Sequence, residues 1–149
     1  LIAALDEEKL GRYVADFPVI ELLGRKDCVL TPHIGASTDE AEDNCAIMAA
    51  DQLRDFLENG NIRNAVNFPP VSLERTHGFR LSIANKNVPK ILGNILSIFA
   101  DANVNVIDMI NKSRDDVAYN LIDVAVAPSQ EILAKIRCVD GVVNVRVIS

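Results

Sequence analysis

The spacing of apolar positions changes along the chain, and each change marks an element. Leu1-Ile-Ala-Ala-Leu5 opens a stretch rich in helix formers that ends at Gly11, with Leu1, Ile2 and Leu5 on one face. Arg12–Ala15 and Asp27–Thr31 are short apolar runs of the kind that form buried strands, and with the preceding helix they predict parallel α/β architecture. Ser37-Thr-Asp-Glu40 has the spacing of a capping box, Ser37 accepting from the backbone of position 40 and Glu40 reaching back. A long helix is expected from there, its stripe of Ala41, Ala46, Ile47, Ala49, Ala50, Leu53 and Leu57 running to Asn59-Gly60.

Residues 60–78 read as a connector with one short extended segment, ending in Thr76-His77-Gly78. From Phe79 the period becomes two: Phe79, Leu81 and Ile83 alternate with Arg80, Ser82 and Ala84, as in a half-buried strand. Ile91, Leu92, Ile95, Leu96 and Phe99 then follow helical spacing, with Pro89 placed in the first turn. Val104–Ile110 and Val117–Val126 are strand-like and joined by a Ser113–Asp116 turn. Ser129 is positioned to cap a helix with Ile132, Leu133 and Ile136 on its face, and Asp140-Gly141 turns into a last strand, Val142–Ile148. The Val142–Val147 strip reads as core. The order β-α-β-β-α-β predicts a ferredoxin-like unit over 79–149 whose helices cover one face of a four-stranded antiparallel sheet and leave the other for solvent or a partner. The whole chain is therefore α+β, with an α/β piece ahead of that unit.

Composition narrows the function classes. Of 149 residues, 49% are hydrophobic and 24% charged, a balance that buries a core and excludes a disordered chain. A net charge of -6 argues against nucleic acid as a partner. The charge is uneven: residues 1–78 hold 7 Lys/Arg against 14 Asp/Glu, whereas 79–149 hold 8 against 7, which suggests two units. With no apolar run of membrane-spanning length and no signal peptide, the expectation is a cytoplasmic protein without membrane contact. Cys28, Cys45 and Cys138 are too scattered for a metal site or a disulfide framework and are expected to be reduced, buried fillers. A chain opening at Leu1 reads as a truncation.

Chemistry rests on two histidines. His77, in a polar connector, reads as a solvated residue. His33 follows a buried strand, at the end where ligands collect in open α/β sheets, and can exchange a proton near neutral pH if a second group orients it. Its spacing fits a structural loop histidine equally well. However, Thr31-Pro-His-Ile-Gly-Ala-Ser-Thr38 followed by Glu40-Ala41 resembles the histidine motif of the D-isomer-specific 2-hydroxyacid dehydrogenases. Gly11–Pro18 and Glu21 resemble a second segment of that family.

The resemblance implies roles residue by residue. His33 would be the proton acceptor for the substrate 2-hydroxyl and Glu21 its orienting carboxylate, although Leu22 stands where the family commonly has proline. Asp16 and the run His33, Ile34, Gly35, Ala36 would line the nicotinamide of NAD, with Gly35 allowing close approach. Neither a Gly-x-Gly-x-x-Gly loop nor the family's substrate arginine is found, so the piece alone is expected to be inactive. No metal is implied.

Ser37–Glu58 resembles the family's crossover helix and Asn64–Pro69 the segment closing its substrate domain, while residues 79–149 resemble an ACT domain, an amino-acid-sensing module. This points to the ACT-tailed members that oxidise 3-phosphoglycerate with L-serine as effector, or to another ACT-tailed 2-hydroxyacid dehydrogenase. An amino-acid-binding, dimerising module without catalysis is the alternative. The implied effector residues are Asn85, Asn87 and Asn105, acting across a homodimer interface, with Asn85 where relatives often have histidine and Lys90 where the pattern has glycine. Asparagines at loop ends are also ordinary turn formers. The expected layout is an incomplete nucleotide-binding end (1–37), crossover helix and closing segment (38–71), linker (72–78) and ACT domain (79–149).

Overall fold

A computed structural model describes residues 1–148, which divide into two compact units, the first ending at Ala49 and the second beginning at Ala50. The first unit contains α1 (Ile2–Asp6), β1 (Tyr13–Ala15), a 3-10 turn at Ile20–Leu22, β2 (Cys28–Leu30) and the start of α2 (Asp39–Asn59). β1 and β2 are parallel, with Val14 opposite Val29, as the two apolar runs predict. Leu5 and Leu22 are the buried hydrophobic residues of this unit, and Arg25 ties it together by ion pairs of 2.7 Å to both Asp6 and Asp27.

The expected capping box shifts by one residue. α2 begins at Asp39, and the Thr38 hydroxyl, not that of Ser37, accepts from the backbone of Ala41 at 3.2 Å. Asp39, Glu40 and Glu42 then lie in the first turn, where acidic groups suit the helix dipole. α2 buries no residue: its stripe residues Ile47, Leu53 and Leu57 are all exposed. The cysteines also depart from expectation. All three are free, but Cys45 and Cys138 are exposed and Cys28 is half-buried, because Cys45 shares the uncovered α2 and Cys138 caps a helix end.

The second unit has the ferredoxin-like plan. β3 (Phe79–Lys86), α3 (Ile91–Asp101), β4 (Val106–Arg114), β5 (Val117–Val124), α4 (Gln130–Arg137) and β6 (Val142–Ile148) give a sheet of order β4-β5-β3-β6 with antiparallel neighbours. One face packs on the helices: Leu81, Ile83, Ile122, Val124 and Val145 meet Ile91, Ile95 and Phe99 of α3 and Ile132, Leu133 and Ile136 of α4. Each such side chain stabilises the fold by about 1.5–3 kcal/mol when fully buried. Ser129 caps α4 as expected, accepting from the Ile132 amide at 3.3 Å. Pro89 instead lies outside α3, whose N-cap is Lys90 in the left-handed region at φ +77°.

The second face of the sheet is not left open. In β3, Arg80, Leu81, Ser82 and Ile83 are all buried, so both faces of the strand are covered. The cover is the connector: Ile62 and Val71 pair through backbone hydrogen bonds of 2.8 and 3.0 Å and pack with Phe68 and Leu73 against Tyr119, Leu121 and Ile148. Compactness therefore places residues 60–78 with the sheet they cover. β6 is an edge strand with a bulge at Ala84/Asn85 of its partner; Val143 and Val147 are exposed, and of the expected core strip Val142–Val147 only Val145 is buried. No helix among the described residues is long and apolar enough to cross a membrane.

Candidate functional site

In the first unit the candidate chemistry gathers at the C-terminal ends of β1 and β2. Asp16 directly follows β1, and Thr31 opens the loop after β2. Because the strands are parallel and in register, the two residues leave the sheet side by side, and Asp16 organises the loop. Its Oδ1 accepts from the Thr31 hydroxyl at 2.5 Å and the Ile34 amide at 2.8 Å, and its Oδ2 accepts from the Gly35 amide at 2.6 Å. The hydrogen bonds from Thr31 and Gly35 hold the Asp16 carboxyl below the usual carboxylate range, with a smaller favourable contribution from His33. A Cβ on Gly35 would stand 2.8 Å from Asp16 Oδ2, so any larger residue there displaces the carboxylate from its present position.

His33 projects from this loop with its backbone in the left-handed region at φ +59°. It is exposed, and its ring packs on Phe17 with centroids 4.1 Å apart. Glu21 is exposed on the 3-10 turn, and no hydrogen bond or ion pair joins it to His33 among the described residues. The structure thus brings Asp16, His33, Ile34 and Gly35 together, with Ala36 next in the same turn, and leaves Glu21 apart from them. The Asp16–Thr31 link and the Phe17–His33 contact are absent from the sequence reading. Register between the two strands is the signal that could have found the first. The residues present do not build a dinucleotide site alone: no Gly-rich phosphate loop exists, and Asp16 is committed to its own loop. No cluster of three or more His, Cys, Asp or Glu side chains that could hold a metal occurs among the described residues.

The comparisons with known proteins add to this geometry. No protein-family profile matches the chain. The D-3-phosphoglycerate dehydrogenase of Haemophilus influenzae is 35% identical over 121 residues, which is 80% of this chain and 30% of that protein. The chain is a homologue of D-3-phosphoglycerate dehydrogenases. The Escherichia coli K12 dehydrogenase is 33% identical over 122 residues, again 80% of the chain and 30% of the relative. The chain therefore spans about 30% of the length of these dehydrogenases. Among solved structures, the ACT domain of the Chlorobium tepidum GTP pyrophosphokinase is 15% identical, covering 46% of this chain and 94% of its own, at a TM-score of 0.42.

The three asparagines that the sequence resemblance implies as effector residues fall at two ends of the sheet. Asn85 is the penultimate residue of β3 and Asn87 the first beyond it, but Asn105 precedes β4, which runs parallel to β3, so Asn105 lies at the opposite end. One chain does not bring the three together. Asn85 is buried and part of a ladder: its Nδ2 donates to the Lys86 carbonyl at 2.7 Å, while Asn120 Nδ2 donates to Asn85 Oδ1 at 2.7 Å and Asn111 Nδ2 to Asn120 Oδ1 at 2.6 Å. Asn87 braces the β4–β5 turn through its Nδ2, 2.9 Å from the Asp115 carbonyl. Asn111 and Asn120 escape a search by motif. They face each other only through the β4–β5 register.

Proposed function

We propose that this chain is part of an NAD-dependent D-3-phosphoglycerate dehydrogenase that oxidises 3-phosphoglycerate to 3-phosphohydroxypyruvate in L-serine biosynthesis, with a regulatory amino-acid-binding domain at 79–149. The observation that carries the reading is His33, held by an Asp16-organised loop at the carboxyl ends of two parallel strands, within a chain homologous to these dehydrogenases. NAD supplies the hydride acceptor in the complete enzyme. The part for this chain is proton handling: the His33 imidazole takes the proton of the substrate 2-hydroxyl and returns it in the reverse direction. Glu21, which makes no hydrogen bond or ion pair with His33 among the described residues, is left without a part in this step.

The test uses the complete enzyme. His33→Gln is expected to lower kcat by about 10²–10⁴-fold with folding intact. Activity within a factor of about three of the parent overturns the assignment. The 149-residue chain by itself is expected to produce no NADH from 3-phosphoglycerate.

A second reading, a homodimeric L-serine-binding module, is favoured by the separation of Asn105 from Asn85 and Asn87. A two-fold axis across the sheet reverses strand direction and sets the Asn105 end of one copy beside the Asn87 end of another. β4 and β6 are edge strands that offer such pairing. Calorimetry with L-serine and scattering for oligomeric state test it. A strict monomer that gives no heat at millimolar serine overturns it.

A further inference from the structure

The strongest unassigned feature lies wholly in the second unit, on the sheet face opposite α3 and α4. A cavity of about 510 Å³ is floored by Ser82, Ala84 and Tyr119 and roofed by Phe56 of α2 with Ile62 and Phe68 of the connector. This is within the size range of small-molecule sites. Its walls are mostly apolar, and its mouth is marked by the exposed Leu53 and Val143.

The charges in the wall have one sign. Arg63 and Arg146 line the cavity and no acid does, in a chain whose net charge is -6. Arg63 is compensated by Asp55, with Nε 3.1 Å from Oδ2. Arg146 forms no ion pair among the described residues. Its guanidinium lies over the Phe56 ring at 4.5 Å, and one Nη donates to the Phe56 carbonyl. Its Nε is buried with no hydrogen-bond partner. A cation in a mostly apolar wall without an ion pair lacks its charge complement, and the group that suits an arginine best is a carboxylate.

We infer that this cavity binds a small apolar monocarboxylate, its carboxylate on the Arg146 guanidinium and its hydrocarbon body between Phe56, Ile62, Phe68 and Ala84. The site is distinct from both the His33 loop and the asparagines at the sheet ends, and stands whether or not the dehydrogenase reading does.

The test is amide NMR titration of the chain with 3-phenylpropanoate, with 3-phenyl-1-propanol as the uncharged match and L-serine as competitor. Saturable shifts at Ser82, Ala84, Tyr119 and Arg146 are expected below about 5 mM carboxylate, with the alcohol at least about tenfold weaker and serine without effect. Arg146→Gln should abolish that preference while the alcohol still binds, and Ala84→Leu should fill the cavity and remove both. If Arg146→Gln also loses the alcohol, Arg146→Lys decides: retained preference supports the site, and its loss overturns it. Equal affinities for acid and alcohol, shifts that do not saturate by about 20 mM, or competition by serine each overturn it as well.

Discussion

Arg80 and Asp123 face each other across β3 and β5 and form an ion pair that is 0% and 1% exposed, with Nε–Oδ1 at 2.6 Å and Nη2–Oδ2 at 2.8 Å. The guanidinium's other N–H groups go to the carbonyls of Asn59, Leu73 and Glu74 at 3.1, 2.8 and 2.6 Å, and the Thr76 hydroxyl adds a 2.8 Å bond to Asp123. One side chain thus fastens the end of α2 and the connector to the sheet. All five donors of a buried arginine are satisfied, which is the condition under which burying its charge is tolerable. Arg80→Met leaves Asp123 charged and unpaired and strips three carbonyls of their donor, so a loss of about 3–5 kcal/mol is expected by urea unfolding. Arg80→Met combined with Asp123→Leu should lose less than the single variant.

The same pair sets an acid limit. Burial pushes the Asp123 carboxyl up, but the hydrogen bonds and charge of Arg80, with those of Thr76, outweigh it and hold the group below the usual range. A carboxyl whose folded pKa is depressed contributes stability that is complete above its unfolded value and is lost as pH falls through the folded one. Urea midpoints should therefore be insensitive to Asp123 above about pH 5 and fall below about pH 4. In Asp123→Asn the midpoint should be lower throughout and show a shallower acid slope.

Lys90 pulls in the other direction. It is an N-cap without a side-chain cap and holds φ +77°, where a Cβ is strained and glycine is not. Its carbonyl already accepts from the Asn94 amide at 2.8 Å, so the backbone conformation is fixed by the helix start and not by the lysine. Lys90→Gly is expected to raise stability by about 0.5–1 kcal/mol, the relieved strain exceeding the added unfolded-state entropy. An unchanged or lower melting temperature would show that the left-handed geometry costs nothing here.

The ferredoxin-like order is legible because each of its elements carries its own period: two in Phe79–Ile83, helical in Ile91–Phe99, and a cap at Ser129. What local patterns miss is long-range. Arg80 reads as the solvent side of a half-buried strand, since nothing nearby announces that Asp123, 43 positions on, lies opposite. The connector looks like a linker because its apolar residues, Ile62, Phe68, Val71 and Leu73, are too sparse for a period, yet together they cover a sheet face. At the candidate site His33, Ile34 and Gly35 are readable as a motif, while the role of Asp16 depends on parallel register. Glu21 shows the converse, a spacing match that no contact accompanies.

The Asp16 cradle gives a last prediction, and one that needs no catalytic assay. The carboxylate holds the Ile34 and Gly35 amides at 2.8 and 2.6 Å, so those amides should exchange slowly for an exposed loop. Asp16→Asn keeps the size but replaces one acceptor oxygen with a donor group, which faces an N–H or hydroxyl it cannot accept from. Gly35→Ala forces a Cβ into the carboxylate at 2.8 Å and should displace it from the other side. Both variants are expected to speed exchange at Ile34 and Gly35 by about tenfold or more while leaving β3–β6 protection unchanged. Since the folded carboxyl of Asp16 is depressed chiefly by its bond from Thr31, the wild-type protection should persist through the ordinary aspartate range and fade only as pH drops through the lowered value. Protection at Ile34 and Gly35 that survives Asp16→Asn would mean that the turn, and not the carboxylate, orders the loop bearing His33.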